Sequence, residues 1–165
     1  MNVRIATLAD VNRIREIAEI TWPVTYSSII SLDQIQFMLD WMYDKQTISS
    51  AIEAVNQDFL VLEIEDEIVG FAGIEHQYEG KAITRLHKLY VLPSTQGTGG
   101  GKTLLNAVEY EARIHKCTLL HLNVNKANPA VQFYFKNGFE VDHEIILEIG
   151  NGFVMDDFVM TKEIN

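Results

Sequence analysis

Four glycines fall within five residues at Gly97, Gly99, Gly100 and Gly101, between the apolar run Leu89-Tyr90-Val91-Leu92-Pro93 and a segment with helical periodicity. Glycine reaches positive φ at little cost and lets a backbone approach a ligand that a Cβ would hold away. At a helix start, the free N–H groups and the positive end of the helix dipole make a ready anion site. A strand, a glycine loop and a helix in that order predict a cradle for a phosphate or pyrophosphate. A flexible linker is the plainer reading of glycines, but the strongly patterned segments on both sides count against it.

The rest of the chain frames that unit. At 165 residues, with 47% hydrophobic and 22% charged, it predicts one domain over 1–165. A chain of that size buries roughly two-thirds of its unfolded surface. A short strand is expected over 3–6, then a capping box at Thr7 to Asp10. The helix that follows carries Leu8, Val11, Ile14, Ile17 and Ala18 on one face and is expected to stop at Pro23. Two helices are expected within 31–56. Strands over 59–63 and 68–78 flank an acidic turn at Glu65-Asp66-Glu67, and Gly70 and Gly73 point to a bulge or close packing. A strand over 83–91 leads into the glycine loop and a helix over 101–115. A strand over 118–124 follows, then a helix opened by Asn128-Pro129 and closed by Gly138, then strands over 141–149 and 154–160. Consecutive strands with one late βαβ unit predict an α+β fold: a mixed, mostly antiparallel central sheet flanked by helices.

The net charge is −10 and the isoelectric point is near 4.8. Binding to nucleic acid or to an anionic membrane needs a basic footprint, so neither is an expected partner. A small cationic molecule suits this charge better. No apolar run approaches the roughly 20 residues of a membrane span, and no signal peptide is read at the N-terminus, so the cytoplasm is the expected compartment. The single cysteine, Cys117, reads as a buried structural thiol. His115, His121 and His143 are scattered, and with one cysteine no metal-ligating group is expected. A serine-hydrolase elbow is absent. Asp156-Asp157 and the acidic run Glu140, Asp142, Glu144 and Glu148 read as a solvated face that could also attract a cation.

Three phosphate-binding patterns compete for the loop. Gly101-Lys102-Thr103 fits the end of a P-loop, G-x-x-x-x-G-K-S/T, but Gln96 occupies the first glycine position. The next strand also offers Asn123 where a nucleotide hydrolase needs an acidic magnesium ligand. A dinucleotide fingerprint fits Gly97 and Gly99 but meets Lys102 at its third glycine. The third pattern is Gln96-x-x-Gly99-x-Gly101. It resembles the Q/R-x-x-G-x-G/A signature of the GCN5-related N-acetyltransferase (GNAT) family. Downstream, the run from Asn128 through Ala130, Phe133 and Tyr134 to Gly138-Phe139 is similar to the family's second signature, with the alanine one place early and Val131 in its usual position. The order of elements fits along the whole chain.

The resemblance implies a GNAT-like acyl-CoA N-acyltransferase fold and acetyl-CoA as co-substrate, with no metal. It implies that the backbone of Leu89, Tyr90 and Val91 holds the pantetheine arm. Gln96, Gly97, Thr98, Gly99, Gly100, Gly101 and Lys102 would cradle the pyrophosphate, and Asn128 would cap its helix and touch the cofactor. Tyr134 is the implied general acid, since a phenol can protonate a departing thiolate. His87, two residues before Leu89 and on the same strand face by simple alternation, is the expected base, with Glu75 and His76 as competitors. The acceptor is a primary amine of a small molecule. The segments 22–26 and 152–160 resemble bacterial spermidine/spermine-type acetyltransferases and favour a polyamine-like acceptor. The alternatives are a non-catalytic acyl-CoA-binding or sensory module and an N-terminal protein acetyltransferase. A homodimer is also implied, as relatives commonly form one.

Overall fold

The computed structural model describes residues 1–164. The elements run β1 (Asn2–Ile5), α1 (Val11–Tyr26), α2 (Leu32–Met42), α3 (Lys45–Glu53), β2 (Gln57–Ile64), β3 (Glu67–Glu75), β4 (Ile83–Val91), α4 (Gly100–Ile114), β5 (Leu119–Asn125), α5 (Ala130–Lys136), β6 (Glu140–Gly150) and β7 (Phe153–Glu163). The strands form a seven-stranded sheet in the order β1-β2-β3-β4-β5-β7-β6. Of its neighbouring pairs, only β4 and β5 are parallel, joined by the crossover through α4. This is the mixed α+β sheet that the element order predicts. None of the described helices is long and apolar enough to cross a membrane.

Side-chain alternation divides the sheet into two apolar faces. On one, Leu104, Leu105, Val108 and Ala112 of α4 pack on Leu60, Leu62, Leu120 and Leu122, together with Val131 and Tyr134 of α5. On the other, Ile14, Ile17 and Trp22 of α1, Met38 of α2 and Ile48 of α3 pack on Phe59, Val61 and Phe71. At roughly 25 cal/mol per Å² of apolar area removed from water, these two layers supply most of the stability. The hairpin between β2 and β3 turns at Glu65 and Asp66, both at positive φ, the conformation that a two-residue hairpin requires.

Besides β3 stopping at Glu75 and β7 running on to Glu163, two features differ from the sequence reading. Pro23 lies inside α1, which continues to Tyr26. Burial of Trp22 and Tyr26 outweighs the hydrogen bond that proline removes. The β4 ladder is also not continuous. Gly73 pairs with Lys88 and Ile74 with Leu86, so His87 is an extra bulged residue. Close packing accounts for the other strand glycine: a Cβ on Gly70 would lie 2.8 Å from the Tyr90 carbonyl oxygen.

The feature that makes room for chemistry is the parting of β4 and β5. They pair only from Ile83 to Leu86 on one strand and from Leu119 to Leu122 on the other. Beyond that point both strands continue, and the space between them opens.

Candidate active site

β4 delivers the chain into a 3-10 turn at Pro93–Thr95 and then into the glycine loop. Two threonines brace this loop. Thr95 Oγ1 donates to the Leu92 carbonyl at 3.0 Å, and Thr98 Oγ1 donates to the Thr95 carbonyl at 2.7 Å. Gly97 has φ +81° and Gly99 has φ +90°, and a Cβ on either would meet nothing within 4 Å. Their glycine requirement is therefore conformational, and the space beside them is open. Gly100 is needed for a different reason, since a Cβ there would lie 2.8 Å from Leu62 Cδ2. Gly101 already sits in the first turn of α4 with room to spare. The result is an open, positively polarised helix start at the end of β4, with the exposed Lys102 in its first turn.

Between the parted strands lies a cavity of about 260 Å³. Trp22 and Tyr26 of α1 and Met38 and Trp41 of α2 form one wall, and β4 from Arg85 to Tyr90 forms the floor. Asn123, Asn125, Asn128, Tyr134 and Asp157 close the other side. Five predicted site residues meet here: His87, Leu89, Tyr90, Asn128 and Tyr134. Val91 and the loop from Gln96 to Lys102 lie outside this lining, further along β4 and its continuation.

The bulge changes where His87 points. Leu86 and Leu89 both pack on the α4 side, which leaves His87 and Lys88 together on the opposite face. His87 is therefore not on the face of Leu89, as simple alternation predicts. Its Nε2 lies 2.8 Å from Glu75 Oε2, and partial burial lowers its pKa. Lys88 Nζ lies over the Tyr43 ring at 5.4 Å and the Phe59 ring at 5.9 Å. Burial pulls its pKa down to about 8. His76, a predicted competitor for the base, turns away from the cavity. Its ring nitrogens meet Thr84 Oγ1 at 2.9 Å and Asp58 Oδ2 at 3.0 Å.

On the far wall, Asn128 Oδ1 accepts from the Ala130 N–H at 2.9 Å and so caps the turn into α5. Tyr134 packs edge-on against Phe133 and Phe139, with centroids at 5.3 and 5.4 Å. Burial pushes the phenol pKa well above its usual value, so the hydroxyl keeps its proton at any physiological pH. The two adjacent aspartates of β7 split by alternation. Asp156 points outward to Lys126 Nζ at 2.6 Å. Asp157 points inward, buried, with no partner for its Oδ1. Glu140, Asp142, Glu144 and Glu148 of β6 are exposed, as the solvated-face reading expects. Asp157 is thus the candidate residue that sequence reasoning left within a surface run. Its signal was the period-2 alternation, which sends one member of an Asp-Asp pair inward.

One grouping that spacing along the chain did not indicate is close enough to be a candidate metal-ligating set. Asp58, His76 and His115 bring ligand atoms within 4.8 Å of one another. The β2–β3 pairing and the end of α4 assemble them from distant sequence positions, which spacing along the chain could not reveal. The His76 and His115 rings stack at 3.7 Å, and none of the three lines the cavity.

Comparison with known proteins agrees with this geometry. A family model described as an acetyltransferase (GNAT) domain matches residues 28–159. A spermidine N(1)-acetyltransferase of Thermoplasma acidophilum is 29% identical over 163 residues, covering 94% of this chain and 96% of that protein. An uncharacterized N-acetyltransferase of Mycobacterium tuberculosis is 25% identical, covering 95% and 99%. Among solved structures, the PaiA N-acetyltransferase of Thermoplasma acidophilum in complex with coenzyme A superposes with a TM-score of 0.83 at 26% identity, over 99% of both chains. A GCN5-related N-acetyltransferase of Rhodopseudomonas palustris reaches a TM-score of 0.84 at 21% identity, over 99% of this chain and 95% of the other, a likeness of fold.

Proposed function

The chain belongs to the GNAT family of acetyltransferases and is an N-acetyltransferase; from that premise we propose that it transfers acetyl from acetyl-CoA to a primary amine of a small, polyamine-like cation. The observation that carries this reading is the cavity between the parted strands, which has on its floor Leu89 and Tyr90 of the strand that runs on into the glycine loop and the α4 start. A donor lying along β4 would have its pyrophosphate at the N–H groups of Gly97 to Lys102. Its thioester would lie in the cavity, against the backbone of Leu89, Tyr90 and Val91. The open space beside Gly97 and Gly99 fits that donor, since any side chain there would both strain the backbone and stand in the cradle.

The thioester supplies an activated acyl group, and the protein's own groups manage protons and charge. A backbone N–H of β4 freed by the bulge and the parted ladder offers a preorganised donor for charge developing on the carbonyl oxygen. The Tyr134 hydroxyl faces the cavity, stays protonated and can donate to the departing sulfur. A wall of Trp22, Tyr26 and Trp41 suits alkyl segments of an amine and the cation–π contacts its nitrogen makes.

The polyamine-like acceptor is supported by the net charge of −10, by the inward carboxyl of Asp157 and by the spermidine acetyltransferase among the relatives. The test is a thiol-release panel led by spermidine and including an amino acid, an aminoglycoside and a peptide N-terminus. Highest kcat/KM for the polyamine supports the reading. A higher value for the peptide would move the assignment to protein N-termini.

A further inference from the structure

We propose that Asp157 seats the acceptor's ammonium and takes the first proton from it, an assignment that rests on the acetyl-transfer reading above. Asp157 is 5% exposed and its Oδ1 has no hydrogen-bond partner. A buried carboxylate oxygen left unpaired is costly, so its partner is expected to come from outside the chain. The neighbours in register do not supply one. Asn125, whose side-chain oxygen accepts from the Ala127 N–H at 2.9 Å, makes no hydrogen bond to Asp157 among the described residues, and Ile145 on the other side is apolar. The outward Asp156 holds Lys126, so that lysine is engaged elsewhere.

The other titratable or charged groups lining this cavity are Arg85, His87, Lys88 and Tyr90 from β4, Tyr26 from α1 and Tyr134 from α5. None of them hydrogen-bonds Asp157 among the described residues. Arg85 donates through Nη1 to the Tyr78 hydroxyl at 2.6 Å, its buried Nε is unpaired and its charge works on Asp157 against the effect of burial, and His87 meets Glu75. Asp157 is thus an acceptor-only group on a cavity wall otherwise rich in aromatic rings. A primary ammonium with an alkyl chain complements both features. Burial holds its pKa up at about 6, close enough to neutrality for a group that gains and loses a proton each turnover.

The proton balance closes. The ammonium gives one proton to Asp157 Oδ1, which releases it to solvent. The freed lone pair forms the N–C bond to the thioester carbonyl as the C–S bond breaks. The second proton lost from nitrogen ends on the sulfur through the Tyr134 hydroxyl. The products are an amide, a free thiol and one proton.

The test compares Asp157→Asn and His87→Gln across pH 5 to 9 with the best amine of the panel, alongside calorimetric titration with coenzyme A. Asp157→Asn should lower kcat/KM for the amine by about 10²–10³-fold, the range of a lost general base. It should also erase the rising limb near pH 6 and leave coenzyme A affinity unchanged. Asp157→Ser carries the same expectation if the Asn variant fails to bind coenzyme A. A change below threefold, or a limb that survives in the Asp157 variants and disappears in His87→Gln, overturns the proposal. Absence of turnover by the wild type with every amine overturns the acetyl-transfer reading first, and this assignment with it.

Discussion

Asn128 Nδ2 donates to the Tyr26 hydroxyl at 3.3 Å, and that same hydroxyl lies 3.4 Å from the hydroxyl of Tyr90. One amide therefore ties the last turn of α1 to the entry of α5, and the tyrosine pair extends the tie to β4. These three elements carry the aromatic wall of the cavity, the helix of Tyr134 and the strand that floors the cavity. The cavity between them is held by a short polar chain inside an aromatic cluster in which Trp22 lies 4.6 Å from Tyr26 and 6.1 Å from Tyr90, centroid to centroid.

Replacing Asn128 by Ala removes a cap and leaves the buried Tyr26 hydroxyl short of a donor. Caps are worth about 1 kcal/mol, and an unmet buried hydroxyl adds a similar cost. Stability should fall by about 1–3 kcal/mol on that basis. Urea unfolding at pH 7 measures it, and an unchanged midpoint would remove Asn128 from the framework of the site.

The glycine loop is tested at Gly99. Its φ of +90° is a conformation that β-branched residues rarely adopt. Gly99→Val should abolish coenzyme A binding in calorimetry while the protein stays folded, because the neighbouring space is open and nothing in the core is displaced. Gly101→Ala is the useful contrast. The nearest atom to its Cβ would be Phe133 Cζ at 3.6 Å, an ordinary contact in a helical turn, so binding should persist.

Tyr134→Phe keeps the ring between Phe133 and Phe139 and deletes only the proton donor. Loss of a general acid lowers kcat by about 10²–10⁴-fold. Coenzyme A affinity and the melting temperature should hardly move. A folded Phe variant with wild-type kcat, under conditions where chemistry limits the rate, would make Tyr134 a packing residue.

Two carboxyls give opposite pH signatures. Arg4 donates to both oxygens of Asp10, at 2.8 and 3.0 Å, and holds its carboxyl down at about 2. Its folded pKa is depressed, so its stabilisation is present above the unfolded value of about 3.9 and is lost as pH falls towards 2. Asp157 is raised to about 6 by burial, so its contribution is present at low pH and is lost as pH rises through 6. Asp157→Asn should therefore be more stable than the wild type at pH 8, by about 1–2 kcal/mol, and indistinguishable at pH 4. Asp10→Asn should be less stable at pH 7 and should converge with the wild type near pH 2. Chemical denaturation at these four pH values reads both signs.

Most of the scaffold was legible because it depends on local periodicity and punctuation. The apolar stripes of α1 and α4, the cap at Asn128, the closing Gly138 at φ +85° and the glycine loop all lie where the residues predict. What was hidden depends on register between distant segments. The bulge at His87 is a mismatch between β3 and β4, and a single strand cannot reveal it, so simple alternation puts the side chain on the wrong face. The Asp58, His76 and His115 group is assembled across the end of the sheet. Asp157 was visible only as half of an acidic pair, and its burial follows from the β5–β7 pairing that turns it inward opposite Asn125. Pro23 misled for an energetic reason: a local breaker lost to the burial of Trp22 and Tyr26 around it.

The most direct test of the central claim is steady-state thiol release from acetyl-CoA by the purified wild type with spermidine, measured at low and at high salt. Transfer to a polycationic amine held by Asp157 in a protein of net charge −10 predicts saturable turnover. It also predicts a spermidine KM that rises with salt more than the acetyl-CoA KM does, since several opposite charges are screened at once. Turnover with a salt-independent KM would contradict the polyamine-like acceptor. Tight coenzyme A binding without thiol release from any primary amine would contradict acetyl transfer to an amine altogether.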